Sequence, residues 1–258
     1  PVTLQQQGGG WSAGESFPRA GARTRRLYAT PAPSGTAAHA KYDGGLATVP
    51  ERRRASASTR IDLRGLASPD LTQVLAGLTK AVPALENAGV QERGAISFTS
   101  PPAGVPVQLS GAINVHLVTQ CEGEEAIWTV TVNDVAPDGT STVLSGGALM
   151  ASNRALDPAR STYDLDGELL EAFHPLTWSA KQRVVAGETI ELDVDVVPTD
   201  AVLEEGHRLR VDVYAGSVPR YLATVPDLVK TRFGKQTVLL SPEQPSYVSL
   251  QIVGDPGW

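Results

Sequence analysis

Residues 126–140 read Ala126-Ile127-Trp128-Thr129-Val130-Thr131-Val132-Asn133-Asp134-Val135-Ala136-Pro137-Asp138-Gly139-Thr140. From Trp128 to Asn133 large apolar and polar side chains alternate. A period of two puts Trp128, Val130 and Val132 on one face of a strand and Thr129, Thr131 and Asn133 on the other. A tryptophan in phase with two valines predicts a face buried between sheets. Ala136–Thr140 then reads as a tight turn, because proline presets its φ and glycine tolerates a positive one. The decisive stretch is therefore a strand ending in a turn.

Working outward, the same signature recurs. Ala95–Thr99, Val105–Leu109, Ala112–Val118, Ser141–Leu149, Gln182–Val185, Glu188–Val196, His207–Val213, Gln236–Leu240 and Ser246–Val253 all read as strands. Asp193, Asp195 and Asp212 alternate with apolar neighbours and are expected to face water. Residues 31–60 are poor in large apolar side chains and read as loop with at most one weak strand. Residues 68–89 predict the one helix. Ser68 caps it, Pro69 and Asp70 occupy its first turn, and Leu71, Val74, Leu75, Leu78, Val82 and Leu85 follow helical spacing. Pro83 should kink it and Gly89 end it. Short strands separated by turns, with one short helical insertion, predict an all-β fold, a β-sandwich.

Bulk properties narrow the function classes. The 258 residues carry a formal charge of -6, without the basic field of a nucleic-acid binder or of a protein drawn to acidic lipid. No apolar run is long enough to span a membrane. The single cysteine, Cys121, excludes an internal disulfide and a cysteine-type zinc site. The reading therefore assigns no metal, no cofactor, no nucleic acid and no membrane, and favours a soluble, cytoplasmic protein. A start at Pro1 without Met reads as a trimmed N-terminus.

The residues that could carry chemistry mostly argue against it. Gly10-Trp11-Ser12-Ala13-Gly14 matches the G-x-S-x-G nucleophile elbow, which needs a buried strand before the serine and a helix after it. Gln5–Gly9 is no buried strand, and Pro18 and Gly21 stop any helix, so Ser12 reads as a decoy. His39, His116, His174 and His207 form no metal-binding pattern. His116 and His207 read as structural hydrogen-bonding groups. Asp164 and Asp166 form an incomplete calcium series.

Five segments, in order and spacing, resemble the C-terminal domain of X-prolyl dipeptidyl aminopeptidases and cocaine esterase-type serine hydrolases. They are Glu92–Pro101 followed by Val107–Gly111; Val132–Gly139, similar to L-V-D-V-x-P-D-G; Leu192–Asp200 leading to Glu205–Val211, similar to G-H-R-L-R-L; Ser217–Tyr221, similar to S-x-F-P-R-F; and Ser241–Tyr247, similar to D-P-E-H-P-S-H. Gly10-Trp11 and Glu15–Pro18 look like the family's opening segment. Val218, Gln244 and Ile127 depart from it.

The resemblance implies a single jelly-roll domain over 1–258, galactose-binding-domain-like, with 31–90 a loop-rich and partly helical insertion. It implies no catalytic residue in this chain, the triad lying on an upstream α/β-hydrolase domain that is absent here. That domain would be the partner, with homo-oligomerisation through the parent. The implied function is an accessory domain that helps shape the active-site cleft of an ester or X-Pro peptide hydrolase. Its structural motif residues would be Trp11, Trp128, Asp134, Asp138, Gly139, Gly206, His207, Arg208, Pro219, Arg220, Tyr221 and Pro245. Leu71, Leu75 and Leu78 would either face the substrate or cover one end of the sandwich. The alternative is a free-standing carbohydrate- or ligand-binding module, for which Trp178 and Trp258 are the candidate platforms.

Overall fold

The computed structural model describes residues 2–5, 10–61, 87–216 and 223–258. Fifteen strands are described, β1 (Val2–Gln5), β2 (Trp11–Gly14), β3 (Arg23–Thr30), β4 (Tyr42–Ala47), β5 (Ala55–Arg60), β6 (Ile96–Thr99), β7 (Val107–Cys121), β8 (Ile127–Val135), β9 (Ser141–Met150), β10 (Thr162–Tyr163), β11 (Leu169–Glu171), β12 (Ile190–Leu203), β13 (Arg208–Ala215), β14 (Lys235–Leu240) and β15 (Tyr247–Val253). Eleven of them form one continuous ladder. It folds into two layers. One is β12-β7-β15-β3, with β14 and β5 continuing from the end of β7. The other is β6-β13-β8-β9. Four-on-four order of this kind, with antiparallel neighbours in both layers, is the jelly roll.

The strand β4 joins the layers. Its C-terminal half pairs with β3 and its N-terminal half runs parallel to β6. At the opposite side β9 closes against β12, where the Ser145 hydroxyl donates to the Val197 carbonyl at 2.5 Å. Gly147 makes this approach possible: a Cβ there would lie 2.0 Å from the Asp195 carbonyl oxygen. Gly147→Ala is therefore expected to cost about 1–3 kcal/mol by forcing the two strands apart, as overpacking does. A denaturant midpoint equal to wild type would show that the closure is loose.

The core is what the alternation in β8 predicted. Trp128, Val130 and Val132 are buried against Val211 and Val213 of β13 and Ile113, Val115 and Leu117 of β7. The Ala136–Thr140 turn also forms, with Gly139 at φ 86° and the Thr140 amide donating to Asp138 at 2.8 Å.

Other expectations need correction. Residues 31–60 carry two strands, β4 and β5; β5 is small and polar, and β4 has only Tyr42 and Leu46 as large apolar side chains, too few for an alternation, but both pair with the main ladder. Val105–Leu109 and Ala112–Val118 belong to one strand, β7, because Gly111 carries the ladder through rather than ending it. Gln182–Val185 is not a strand; Val184 is buried from an irregular segment. Most of the predicted helix 68–89 lies outside the described residues. Its last two residues instead begin a 3-10 helix, Ala88–Gly94, capped by the Asn87 side chain. The sequence reading missed a short helix, α1 (Val225–Lys230), although Thr224, Pro226 and Asp227 supply the usual cap and first turn.

Candidate functional site: the buried polar faces of the sandwich

Arg210, Asp212 and Tyr214 point away from the core on β13, beside Ser97 and Thr99 of β6 and Thr129, Thr131 and Asn133 of β8. Strand parity alone would leave this face in water, yet Arg210 and Asp212 are each 0% exposed. The expectation that Asp212 faces solvent is thus overturned. Thr36, Ala37 and His39 and the 3-10 helix with Gln91 and Glu92 contribute to the cover.

Burial obliges these groups to find partners. Arg210 donates through Nη1 to Glu92 Oε2 at 2.6 Å, through Nε to the Thr99 hydroxyl at 2.9 Å and through Nη2 to the Thr36 carbonyl at 2.9 Å. His39 Nε2 lies 2.6 Å from the same Glu92 oxygen. Asp212 accepts from Ser97 Oγ and Asn133 Nδ2, both at 2.5 Å. Burial pushes the Asp212 carboxyl far above the ordinary range, the nearby Glu92 adds to the rise, and Arg210 opposes it. Burial likewise drives the Tyr214 phenol well above its usual value.

The opposite layer has its own polar face, overlain in part by the segment that carries β10 and β11. His116 stacks on Tyr247 with ring centroids 4.7 Å apart, and the Arg26 guanidinium lies 4.2 Å from the same ring. Asp193 accepts from Asn114 Nδ2 and pairs with His116 Nδ1, both at 3.0 Å. Burial alone would raise the Asp193 carboxyl, but His116, Asn114 and His174 together outweigh it and hold it low. Arg26 pairs with Glu168, which also accepts from the Ser249 hydroxyl. Asp164 spends Oδ1 on the amides of Asp166 (2.9 Å) and Glu168 (2.8 Å), so the calcium-like sequence is a turn. Among the described residues no group of three or more His, Cys, Asp or Glu side chains could hold a metal.

At one end of the sandwich four of the motif residues, Asp134, Gly206, His207 and Arg208, come together. His207 Nδ1 lies 2.7 Å from Asp134 Oδ1, across the β13–β8 pair. Burial raises the Asp134 carboxyl, with His207 opposing. Arg208 Nη1 donates to the Ser100 carbonyl at 3.1 Å. A Cβ on Gly206 would be 3.4 Å from Pro137 Cγ, so the β8–β9 and β12–β13 turns touch. At the other end, beside the C-terminal part of β7, half-buried Pro245 precedes Ser246, whose hydroxyl accepts the Val118 amide and donates to the Leu239 carbonyl, both at 3.0 Å. Trp11 stands exposed on β2. Leu71, Leu75, Leu78, Pro219, Arg220 and Tyr221 lie outside the described residues.

Ser12 sits inside the β1–β2 ribbon rather than at a strand-to-helix turn. Arg19 donates to its hydroxyl and forms a two-pronged pair with Asp200 at 3.0 and 2.7 Å. Each of the four histidines bonds to a carboxylate or a backbone carbonyl. Among the described residues none shares a hydrogen bond with a serine, threonine or cysteine side chain, the contact that activates a nucleophile.

Glu92 and Arg210 both fall within the family-like segments, but their pairing is not legible in the sequence, since 118 residues separate them. A charged residue at an alternating position in the middle of an apolar strand was the one available signal.

These features define a class, a jelly-roll module whose acids, bases and hydroxyls hold the fold together. The chain belongs to the family of X-Pro dipeptidyl-peptidase C-terminal non-catalytic domains, whose model matches residues 1–249. It is 22% identical over 156 residues to the cocaine esterase of a Rhodococcus species, covering 57% of this chain and 24% of that protein. Its fold is similar to a CocE/NonD family hydrolase from Staphylococcus aureus at TM-score 0.65 and 14% identity, covering 97% of this chain and 41% of that one. An α-amino acid ester hydrolase matches at TM-score 0.65 and 18% identity, over 98% of this chain and 41% of its own. The chain spans under a quarter of the length of the curated relatives it matches, 22–24%. No described helix is long and apolar enough to cross a membrane.

Proposed function

We propose that this chain is the accessory β domain of a serine hydrolase that cleaves an ester or X-Pro peptide bond, packed on an α/β-hydrolase domain of the same protein and helping to shape its cleft. The observation that carries the reading is the match to the non-catalytic C-terminal domain family over residues 1–249. The relatives named as esterases and ester hydrolases support it. In this reading Leu71, Leu75 and Leu78 contribute an apolar surface to the cleft, and the parent self-associates. Cytoplasmic placement fits Cys121, a free and buried thiol.

A fluorophosphonate probe tests the proposal. The chain alone should stay unlabelled and turn over p-nitrophenyl esters at background rate. The full-length protein should be labelled on a serine outside this chain, unchanged by Ser12→Ala. Labelling at Ser12 would overturn the reading. In the same full-length protein, Leu75→Asp should raise KM while leaving the melting temperature in place. A lower melting temperature with normal kinetics would place Leu75 in the core.

A further inference from the structure

We infer that the pocket where β5 ends and β14 begins binds a small polyanion bearing phosphate groups. The pocket has a volume of about 390 Å³, within the roughly 300–1,000 Å³ of small-molecule sites. Lys41, Arg60 and Lys235 line it together with the hydroxyl residues Ser58 and Thr59, and no carboxylate belongs to the lining.

The fold brings like charges together here. Arg60 and Lys235 are direct cross-strand partners in the β5–β14 ladder. Like charges placed opposite one another destabilise a sheet. Lys41 adds a third cation from the segment before β4. The chain as a whole carries a formal charge of -6, so its surface at large has the opposite sign. Among the described residues the ammonium groups of Lys41 and Lys235 meet no carboxylate at ion-pair distance. Glu122 accepts the Lys235 backbone amide at 2.9 Å and stays outside the lining. Three converging cations repel one another until an anion stands between them. The backbone that sets their spacing is held in place. The Thr59 side chain, 4% exposed, donates to the Gly94 carbonyl at 2.7 Å, and the Lys41 amide donates to the Ala95 carbonyl at 2.9 Å. The Ser58 hydroxyl lies 2.9 Å from that of Thr237 across the ladder.

The chemistry of the lining selects the ligand. An apolar or cationic ligand would leave three positive charges unmet. A single carboxylate is planar, and one guanidinium fork fills its edge. Both ammonium groups would then remain without a partner. A phosphate group carries about two negative charges and presents oxygens on every side. It can take Arg60 in two-pronged fashion and meet Lys41 and Lys235 as point charges. The Ser58 hydroxyl can donate to a further oxygen. A second phosphate group on the same molecule fits the remaining volume and balances the third cation.

Isothermal titration calorimetry of the full chain at constant ionic strength tests this, with pyrophosphate as the probe and inorganic phosphate, citrate and acetate beside it. Pyrophosphate should bind saturably with a Kd below about 1 mM, phosphate and citrate more weakly, and acetate not at all. Arg60→Gln and Lys235→Gln should each weaken pyrophosphate by about tenfold or more, the worth of one hydrogen bond to a charged group. Both side chains are exposed, and either change removes the repulsion across the ladder. Without ligand, both variants should therefore melt at or above the wild-type temperature. Pyrophosphate should raise the melting temperature of the wild type and barely move that of the variants. Arg53→Gln, in the exposed basic run before β5, should bind like wild type. The inference is overturned if pyrophosphate does not saturate, if citrate binds as tightly as pyrophosphate, if Arg60→Gln and Lys235→Gln both bind it like wild type, or if Arg53→Gln abolishes binding.

Discussion

Arg210→Ala should lower the unfolding free energy by about 3–5 kcal/mol, the cost of removing one member of a buried ion pair. Arg210 is fully buried, and its guanidinium reaches Glu92, Thr99 and Thr36 together. Alanine would leave Glu92 Oε2 facing only His39, and would strand the Thr36 carbonyl and Thr99 hydroxyl that the guanidinium satisfies. Urea melts of the chain measure the effect. The double variant Arg210→Met with Glu92→Gln should recover part of the loss, because it removes both charges. A loss under about 1 kcal/mol in Arg210→Ala would mean that the pair is not desolvated in solution.

The same cluster sets a pH dependence. Asp212 is raised in the fold by burial and by Glu92, so the folded chain keeps a proton that the unfolded chain releases at about pH 4. Across that window the native state binds more protons, and stability falls as the pH rises. Asp212→Asn cannot release a proton and can still bond to Ser97 and Asn133. Its stability relative to wild type should therefore increase from pH 5 to pH 8. A difference that stays flat would refute the raised carboxyl.

Trp128→Ala should cost about 3–5 kcal/mol, as large-to-small changes in a packed core do. The ring is 0% exposed within the main apolar cluster between the two layers. The hole it leaves is lined by strands held in register from both sides, β13 and β9, so the backbone cannot close over it. Its indole N–H has no hydrogen-bond partner among the described residues, so Trp128→Phe should lose much less. A cost for Trp128→Ala below about 1 kcal/mol would mean the layers repack freely.

The sequence by itself determined which face of each long strand is apolar. In Trp128–Asn133 side-chain parity is a local property, and it survives whatever the strand pairs with. The Pro137–Gly139 turn was legible for the same reason, since its φ angles are set by residue type. Ser12 could be dismissed locally too, because Pro18 and Gly21 forbid the following helix. Trp258 shows the limit of such reading: composition made it a candidate platform, but it packs against the core, and Trp178 alone of the two stands open.

What only the tertiary structure decided is the fate of the polar faces. Asp212 alternates with Val211 and Val213 as any solvent-facing residue would, yet chain from outside β13 covers it. Whether a polar face meets water or cover depends on contacts between residues far apart in sequence, as between Glu92 and Arg210, and no periodicity records them. Residues 31–60, which read as loop with at most one weak strand, hold both β4 and β5 on the same ground. With Tyr42 and Leu46 their only large apolar side chains, the two give no alternation, and they are strands because an existing ladder offers their backbone groups partners.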